Sequence, residues 1–306
     1  MLPKIAISIG DLNGVGIEIA FKAHEEISQY CKPIYCINET MLSQAAQLLH
    51  VNIPHDFNIY PTQGEFEIKK GSVTKESGLY SYHSFLDAIN LAKEKKVDAI
   101  TTLPIHKEAW AKAEINYKGH TDMLRDIFQK DAIMMLGCPK MFVALYTEHI
   151  PLKEVIPSIE EKRLTQFFID FYNNFPRKNI AVLGVNPHAG DNGVLGDEEK
   201  KIIKAIKNAN DFFQKEIFHG PFVPDVAFTP KMRENYSIYI AMYHDQGLTP
   251  LKALYFDESI NISLNLPILR TSVDHGTAFD IAYKYTANST SYINAIKFIN
   301  GELFKK

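Results

Sequence analysis

Apolar runs of strand length alternate along this chain with stretches whose apolar residues recur every three or four positions. The runs at 4–9, 33–37, 98–102, 132–136, 141–146, 179–185, 225–228, 238–242 and 260–264 read as strands. Between them Phe85, Ala88, Ile89 and Ala92 fall on one helical face, as do, in part, Ile202, Ile203, Ile206 and Phe213. This alternation predicts an α/β protein with a largely parallel sheet, because parallel neighbours need a crossover that a helix supplies. The helical stripes read as core-facing surfaces with no special chemistry.

The chain of 306 residues exceeds the size at which one core is usual, so two lobes are expected, with the site in the cleft between them. No repeat, low-complexity tract or Gly/Ser linker separates them, so the chain should cross more than once. We place the first lobe at 1–122 plus 283–306 and the second at 123–282.

Composition narrows the function class. The chain is 46% hydrophobic and 23% charged with a formal net charge of −3, which argues against a strongly basic nucleic-acid binder. Lys200, Lys201, Lys204 and Lys207 recur at helical spacing and read as a solvated face. There is no apolar run of about eighteen residues for a membrane span, and Met1-Leu2-Pro3-Lys4 leads directly into a strand-like run instead of a long apolar leader. Cys31, Cys36 and Cys138 are odd in number and lack paired metal-ligand spacing, so they read as reduced thiols of a cytoplasmic protein.

The densest chemistry lies in 241–252, where His244, Asp245, Gln246 and Lys252 follow an apolar run. Two more histidine turns leave apolar runs in the same way, Tyr146-Thr147-Glu148-His149-Ile150-Pro151 and Val185-Asn186-Pro187-His188-Ala189-Gly190-Asp191. A lone histidine is more often a hydrogen-bonded structural residue than a ligand, and His24, His50, His55, His83 and His219 are read so. Three imidazoles beside a carboxylate, each just after a strand, suit a borderline divalent cation such as zinc.

Other turns are less specific. Gly10-Asp11-Leu12-Asn13-Gly14-Val15-Gly16-Ile17-Glu18 permits a tight strand-to-helix turn, but lacks the third glycine of the dinucleotide fingerprint and the lysine of a P-loop. The runs Thr101-Thr102-Leu103-Pro104-Ile105-His106-Lys107 and Lys118-Gly119-His120-Thr121-Asp122 put hydroxyls and cations at turns before helices. Thr121 is expected to cap the second of these helices, and His120 beside it could hydrogen-bond an anionic substrate. Lys252, Asn261 and Arg270 would form a polar trio able to clamp a phosphate or carboxylate. Spacing alone leaves open whether they meet or are unrelated surface residues.

Taken in order, these segments resemble the 4-hydroxythreonine-4-phosphate dehydrogenase family of vitamin B6 biosynthesis. The resemblance runs over nearly the whole chain and rests on Gly10-Asp11 with Gly14-Val15-Gly16-Ile17-Glu18, Gly119-His120-Thr121, Asn186-Pro187-His188-Ala189-Gly190, Tyr243-His244-Asp245-Gln246-Gly247 and Arg270-Thr271-Ser272-Val273-Asp274-His275-Gly276-Thr277-Ala278. It implies that His149, His188 and His244 are metal ligands, and that His120, Thr121, Lys252, Asn261 and Arg270 contact the substrate. It implies a two-lobed α/β/α fold like that of isocitrate and isopropylmalate dehydrogenases, and a homodimer whose chains jointly build each site. The metal and the dimer contacts would belong to the second lobe. Asp274 to Ala282 also resembles the loop with which those dehydrogenases hold the adenosine end of NAD(P), which makes His275, Gly276, Thr277, Ala278, Asp280 and Asn288 the expected cofactor contacts. Departures from the family pattern include Leu12, Asn13, Ile17 and Asn265.

The activity so implied is oxidation of 4-phosphohydroxy-L-threonine at its C3 hydroxyl by NAD or NADP. Metal-assisted decarboxylation to 3-amino-2-oxopropyl phosphate follows, on the way to pyridoxine 5'-phosphate. One divalent ion per subunit, zinc, magnesium or cobalt, is expected. Asp245 and His120 are the candidates for the general base. The alternatives are a dehydrogenase of D-threonate or D-erythronate 4-phosphate and a non-redox, metal-dependent phosphate-binding or acyl-phosphate-transfer protein.

Overall fold

The computed structural model describes residues 1–301; the last five positions of the expected first lobe, 302–306, lie outside the described residues. The chain divides into two compact units, one made of Met1–Lys130, Asp257–Ile262 and the chain from Leu266 on, the other of Asp131–Phe256 with Ser263–Asn265.

In the first unit the strands are β1 (Lys4–Ser8), β2 (Lys32–Cys36), β3 (Ile59–Tyr60), β4 (Ala99–Thr102) and, late in the chain, β11 (Leu269–Val273), in the order β3-β2-β1-β4-β11. All four pairings are parallel. β4 is buried at every position and β1 at all but its first, because helices cover both faces of such a sheet. Those helices begin where the sequence caps them. Asn38 accepts from the Met41 N–H at 2.9 Å and starts the helix Glu39–Leu49; Thr74 accepts from the Ser77 N–H at 3.2 Å and starts the helix Lys75–Lys93. The stripe Phe85, Ala88, Ile89 and Ala92 packs into a core with Ile100, Trp110, Met123 and Leu124. Each large apolar side chain so buried contributes roughly 1.5–3 kcal/mol.

This packing sets the unit boundary. The helix His120–Phe128 is held to the first unit by Met123 and Leu124, and β11 by its pairing with β4, and 123–130, 257–262 and 266–282 fall in the first unit instead of the expected second.

In the second unit the strands are β5 (Ile133–Cys138), β6 (Met141–Leu145), β7 (Ile180–Leu183), β8 (Phe218–Phe222) and β9 (Ile238–Ala241), in the order β5-β6-β9-β7-β8. β5 and β6 form the antiparallel exception; β6, β9, β7 and β8 run parallel. The remaining strand, β10 (Ile260–Leu264), has residues in both units. The expected strand at 225–228 is instead the end of the short helix Pro224–Ala227 and the residue after it. Pro224 at the first helical position presets the backbone angle and lacks an N–H that a helix start would leave unbonded.

Candidate functional site

Parallel strands send their C-terminal ends to one edge, and in the second unit the three histidine turns leave that edge from neighbours. β6, β9 and β7 lie side by side with Leu145 opposite Ala241 and Val182 opposite Ile240, and His149, His244 and His188 follow them. The Thr147 hydroxyl donates to the Met242 carbonyl at 2.6 Å, carrying the β6–β9 pairing past the strand ends. Gln246 joins the other two turns: its amide donates to the Gly184 carbonyl at 2.6 Å and its carbonyl accepts from the Met242 N–H at 2.7 Å. The helix His244–Tyr255 can seat so closely because Gly247 lies against Val143, where a side chain would collide.

The rings of His149 and His244 meet with centroids 5.4 Å apart. His244 Nδ1–H donates to Asp245 Oδ1 at 2.7 Å, which leaves Nε2 as the ring atom able to form a ligand bond. His188 sits on a different kind of support. Five successive residues, His188 to Asn192, have left-handed backbone angles, with φ of 53°, 50°, 79°, 42° and 55°. For non-glycine residues this costs roughly 1–2 kcal/mol each. Buried Glu199 holds the approach to this turn: Oε1 accepts from the Val185 and Asn186 N–H groups at 2.9 and 2.8 Å, and Oε2 from the Asn186 amide at 2.9 Å. Donor chemistry and the His149–His244 pair fit a divalent cation. Among the described residues, however, no three such side chains are close enough together to hold one, so His188 is not drawn to the pair.

In the first unit the polar side chains are buried or half-buried. Arg270 is 2% exposed, so it is no surface residue, and burial pushes its pKa down to about 9, where the guanidinium is still charged at neutral pH. Its Nε donates to Thr102 Oγ1 at 3.1 Å, and Nη2 donates to the same hydroxyl. His120 packs edge-on against Phe85 and Trp110, with ring centroids 4.6 and 5.8 Å away. Burial, then the charge of Arg270, hold its pKa well below the usual imidazole value, so His120 is neutral. His120 Nε2 and Asn261 Oδ1 are buried and have no hydrogen-bond partner among the described residues, as atoms that bind a ligand would. Thr121 is not the expected cap. Gly119 holds that position, Thr121 is the second residue of the helix, and Asp122 reaches back to accept from the Lys118 N–H at 3.0 Å. Lys252 belongs to the other unit, with its ammonium 5.3 Å above the Phe256 ring.

The expected cofactor loop packs on the glycine turn after β1. The Val15 N–H donates to the Thr277 carbonyl at 3.0 Å, and a side chain on Gly14 would come within 2.7 Å of that oxygen. His275 Nε2 is buried with no partner among the described residues, Phe279 stacks on His106 with centroids 4.9 Å apart, and Ala278 takes a left-handed φ of 42°. Asn288 instead accepts from the Thr290 N–H at 2.9 Å, at the start of the helix Thr290–Ile299.

Sequence reasoning found the Thr102 hydroxyl but not its partner Arg270, and missed Glu199 and the state of Asp11, which depend on contacts made by folding. Asp11 is buried, accepts from the Asn13 N–H at 2.9 Å and the Ser77 hydroxyl at 3.1 Å, and has its pKa pushed up by burial to about 6. A carboxyl with a raised folded-state pKa contributes stability that is present below its unfolded value of 3.8 and is lost as pH rises through about 6. Asp11→Asn removes this dependence. The stability of Asp11→Asn relative to the unaltered protein should therefore rise between pH 4 and pH 8 by roughly 2.5 kcal/mol, as read by urea unfolding at both pH values. Equal differences at the two values would show that Asp11 ionises normally.

Comparison with known proteins follows the same lines. The family model described as pyridoxal phosphate biosynthetic protein PdxA matches residues 29–299. A 4-hydroxythreonine-4-phosphate dehydrogenase of Sulfurimonas denitrificans is 66% identical over 96% of this chain and 96% of its own. The crystal structure of a 4-hydroxythreonine-4-phosphate dehydrogenase from Klebsiella pneumoniae is 33% identical, covers 98% of this chain and 99% of its own, and superposes with a TM-score of 0.82. Isocitrate dehydrogenase from Methylococcus capsulatus, 13% identical over 99% of this chain and 87% of its own with a TM-score of 0.51, shares the fold alone. With buried polar groups at its strand ends and this likeness along nearly its whole length, the chain belongs to the PdxA family and is an enzyme, a dehydrogenase.

Proposed function

We propose that the enzyme oxidises 4-phosphohydroxy-L-threonine at its C3 hydroxyl with NAD or NADP and releases carbon dioxide to leave 3-amino-2-oxopropyl phosphate, a step toward pyridoxine 5'-phosphate. The observation that carries this reading is the buried Arg270, fixed by Thr102 near the unpartnered Nε2 of neutral His120: a charged fork and a neutral imidazole prepared for a small anion.

The residues divide the work. Arg270 and Lys252 hold the phosphate, while Asn261 and Thr121 bind the rest of the substrate. The loop with His275, Gly276, Thr277, Ala278 and Asp280 takes the adenosine end of the cofactor, with Asn288 supporting the helix that follows. His149 and His244 would hold a divalent cation, zinc, magnesium or cobalt, with His188 as the third ligand once its turn closes on the pair. When bound the cation supplies a Lewis acid for the oxygen being oxidised.

The hydride leaves C3 for NAD(P)+, and the hydroxyl proton passes to His120 Nε2. The resulting β-keto acid loses its carboxyl group as carbon dioxide, and the bonding pair left at C2 takes back one proton. Protons balance, so a weakly basic imidazole that returns what it accepts is suited to the role. Asp245 is bonded to His244 Nδ1 and orients that ring. D-threonate and D-erythronate 4-phosphate are the competing substrates, and the name of the relative from Sulfurimonas denitrificans supports 4-phosphohydroxy-L-threonine over them. Specificity constants for 4-phosphohydroxy-L-threonine and D-threonate 4-phosphate, measured by NADH formation, decide between them. A higher constant for the threonate would overturn the assignment.

We also propose a homodimer, in the cytoplasm. Among the described residues no helix is long and apolar enough to cross a membrane. In the second unit, Leu152 close to His149 and Val194 close to His188 are 68% and 78% exposed, apolar side chains that a second copy would cover. Sedimentation at assay concentration should give the mass of two chains; an active monomer would contradict this.

A further inference from the structure

We infer that Thr102 is a positioning residue for substrate binding, holding the Arg270 guanidinium in the plane in which it meets the substrate's anionic group. The inference rests on the reading of Arg270 as a substrate contact. It begins with strand geometry. β4 and β11 are parallel neighbours with Ile100 opposite Arg270, Thr101 opposite Thr271 and Thr102 opposite Ser272. Side chains alternate between faces, so Thr101 and Thr271 share one face, where their hydroxyls hydrogen-bond at 3.0 Å, and Thr102 shares the other with Arg270 as its diagonal neighbour.

Thr102 is fully buried and β-branched, so its hydroxyl has little freedom to turn away. Two nitrogens on one edge of the guanidinium, Nε and Nη2, donate to that single oxygen. Two bonds on one edge fix both the direction and the plane of the fork, which a single bond would leave free to rotate. Arg270 is 2% exposed, so water does not replace the hydroxyl if it is removed. An arginine otherwise has many rotamers, and ordering it in advance lowers the cost of binding a planar or tetrahedral anion.

The test is steady-state kinetics on Thr102→Val, which keeps the shape and removes the hydroxyl, with Thr102→Ser and Arg270→Met measured beside it. Losing a hydrogen bond to a charged group costs about 10- to 100-fold, so Thr102→Val should raise KM for the phosphorylated substrate by about that factor. The KM for NAD(P)+ should stay as it was. Thr102→Ser should restore the substrate KM, because the hydroxyl returns. A Thr102→Val enzyme that melts earlier but keeps its substrate KM would show a structural role only and overturn the inference. If Arg270→Met raises KM and Thr102→Val does not, positioning falls while the Arg270 assignment stands. If Arg270→Met leaves KM unchanged, both fall. Should Thr102→Val not accumulate as folded protein, Thr102→Ser against Thr102→Ala reads the same hydroxyl, and equal substrate KM values for that pair would refute it.

Discussion

Arg270→Lys lowers kcat/KM for the phosphorylated substrate by roughly thirty- to several-thousand-fold, corresponding to the 2–5 kcal/mol lost when one partner of a buried charge-assisted contact is removed. Charge alone does not rescue the variant. The guanidinium uses one edge to bond Thr102 and is buried to 2% exposure, so an ammonium in its place could not span both the hydroxyl and an anion. Arg270→Met should be at least as damaging. The comparison is made with specificity constants on purified, folded variants. A value for Arg270→Lys within about twofold of the unaltered enzyme, less than roughly 0.5 kcal/mol, would mean that the anion is held elsewhere.

His244→Ala should remove the divalent cation and the activity together. His244 starts its helix at the edge where β6, β9 and β7 end, its ring lies 5.4 Å from that of His149, and Asp245 leaves Nε2 as the atom to ligate. The loss should exceed the roughly 10- to 100-fold expected from removing an outer partner, the effect anticipated for Asp245→Asn. Metal content by elemental analysis, read beside turnover, separates the two variants. Full metal occupancy and normal turnover in His244→Ala would rule out the assignment. His188 lies on a strained left-handed turn whose approach Glu199 holds, so metal content and turnover of His188→Ala, read in the same way, test it as the third ligand.

The parallel strands of the core were legible because they are buried on both faces and read as apolar runs. β4 and β9 are apolar or threonine throughout and were found within a residue or so of their observed ends. β11 was not found, although it pairs with β4 along most of its length: Arg270, Thr271 and Ser272 interrupt its apolar pattern. Those polar residues are buried to face Thr102 and Thr101, so the strand hides where chemistry replaces packing. β8 was missed for a different reason, since Gly220 and Pro221 break it. At 225–228 a proline-started helix was mistaken for a strand, as happens with short apolar runs.

The histidine turns were visible one by one in the sequence, and the sheet order explains their grouping: segments about forty to ninety-five residues apart become neighbours through β6, β9 and β7. Sequence could not show that His120 is neutral, that Asp11 is poised near pH 6, or that Glu199 holds the approach to the His188 turn, since each depends on contacts made only by folding. The resemblance supplied the proposed substrate contacts. It could not indicate Thr102, whose role comes from a diagonal strand contact.

The most direct test of the reaction is the ratio of products formed from 4-phosphohydroxy-L-threonine and NAD(P)+ by the purified enzyme supplied with a divalent cation. Reduced cofactor and carbon dioxide should appear in equal amounts, with 3-amino-2-oxopropyl phosphate as the remaining product. Reduced cofactor without carbon dioxide, or no reduction at all, would contradict oxidative decarboxylation as the function of this site.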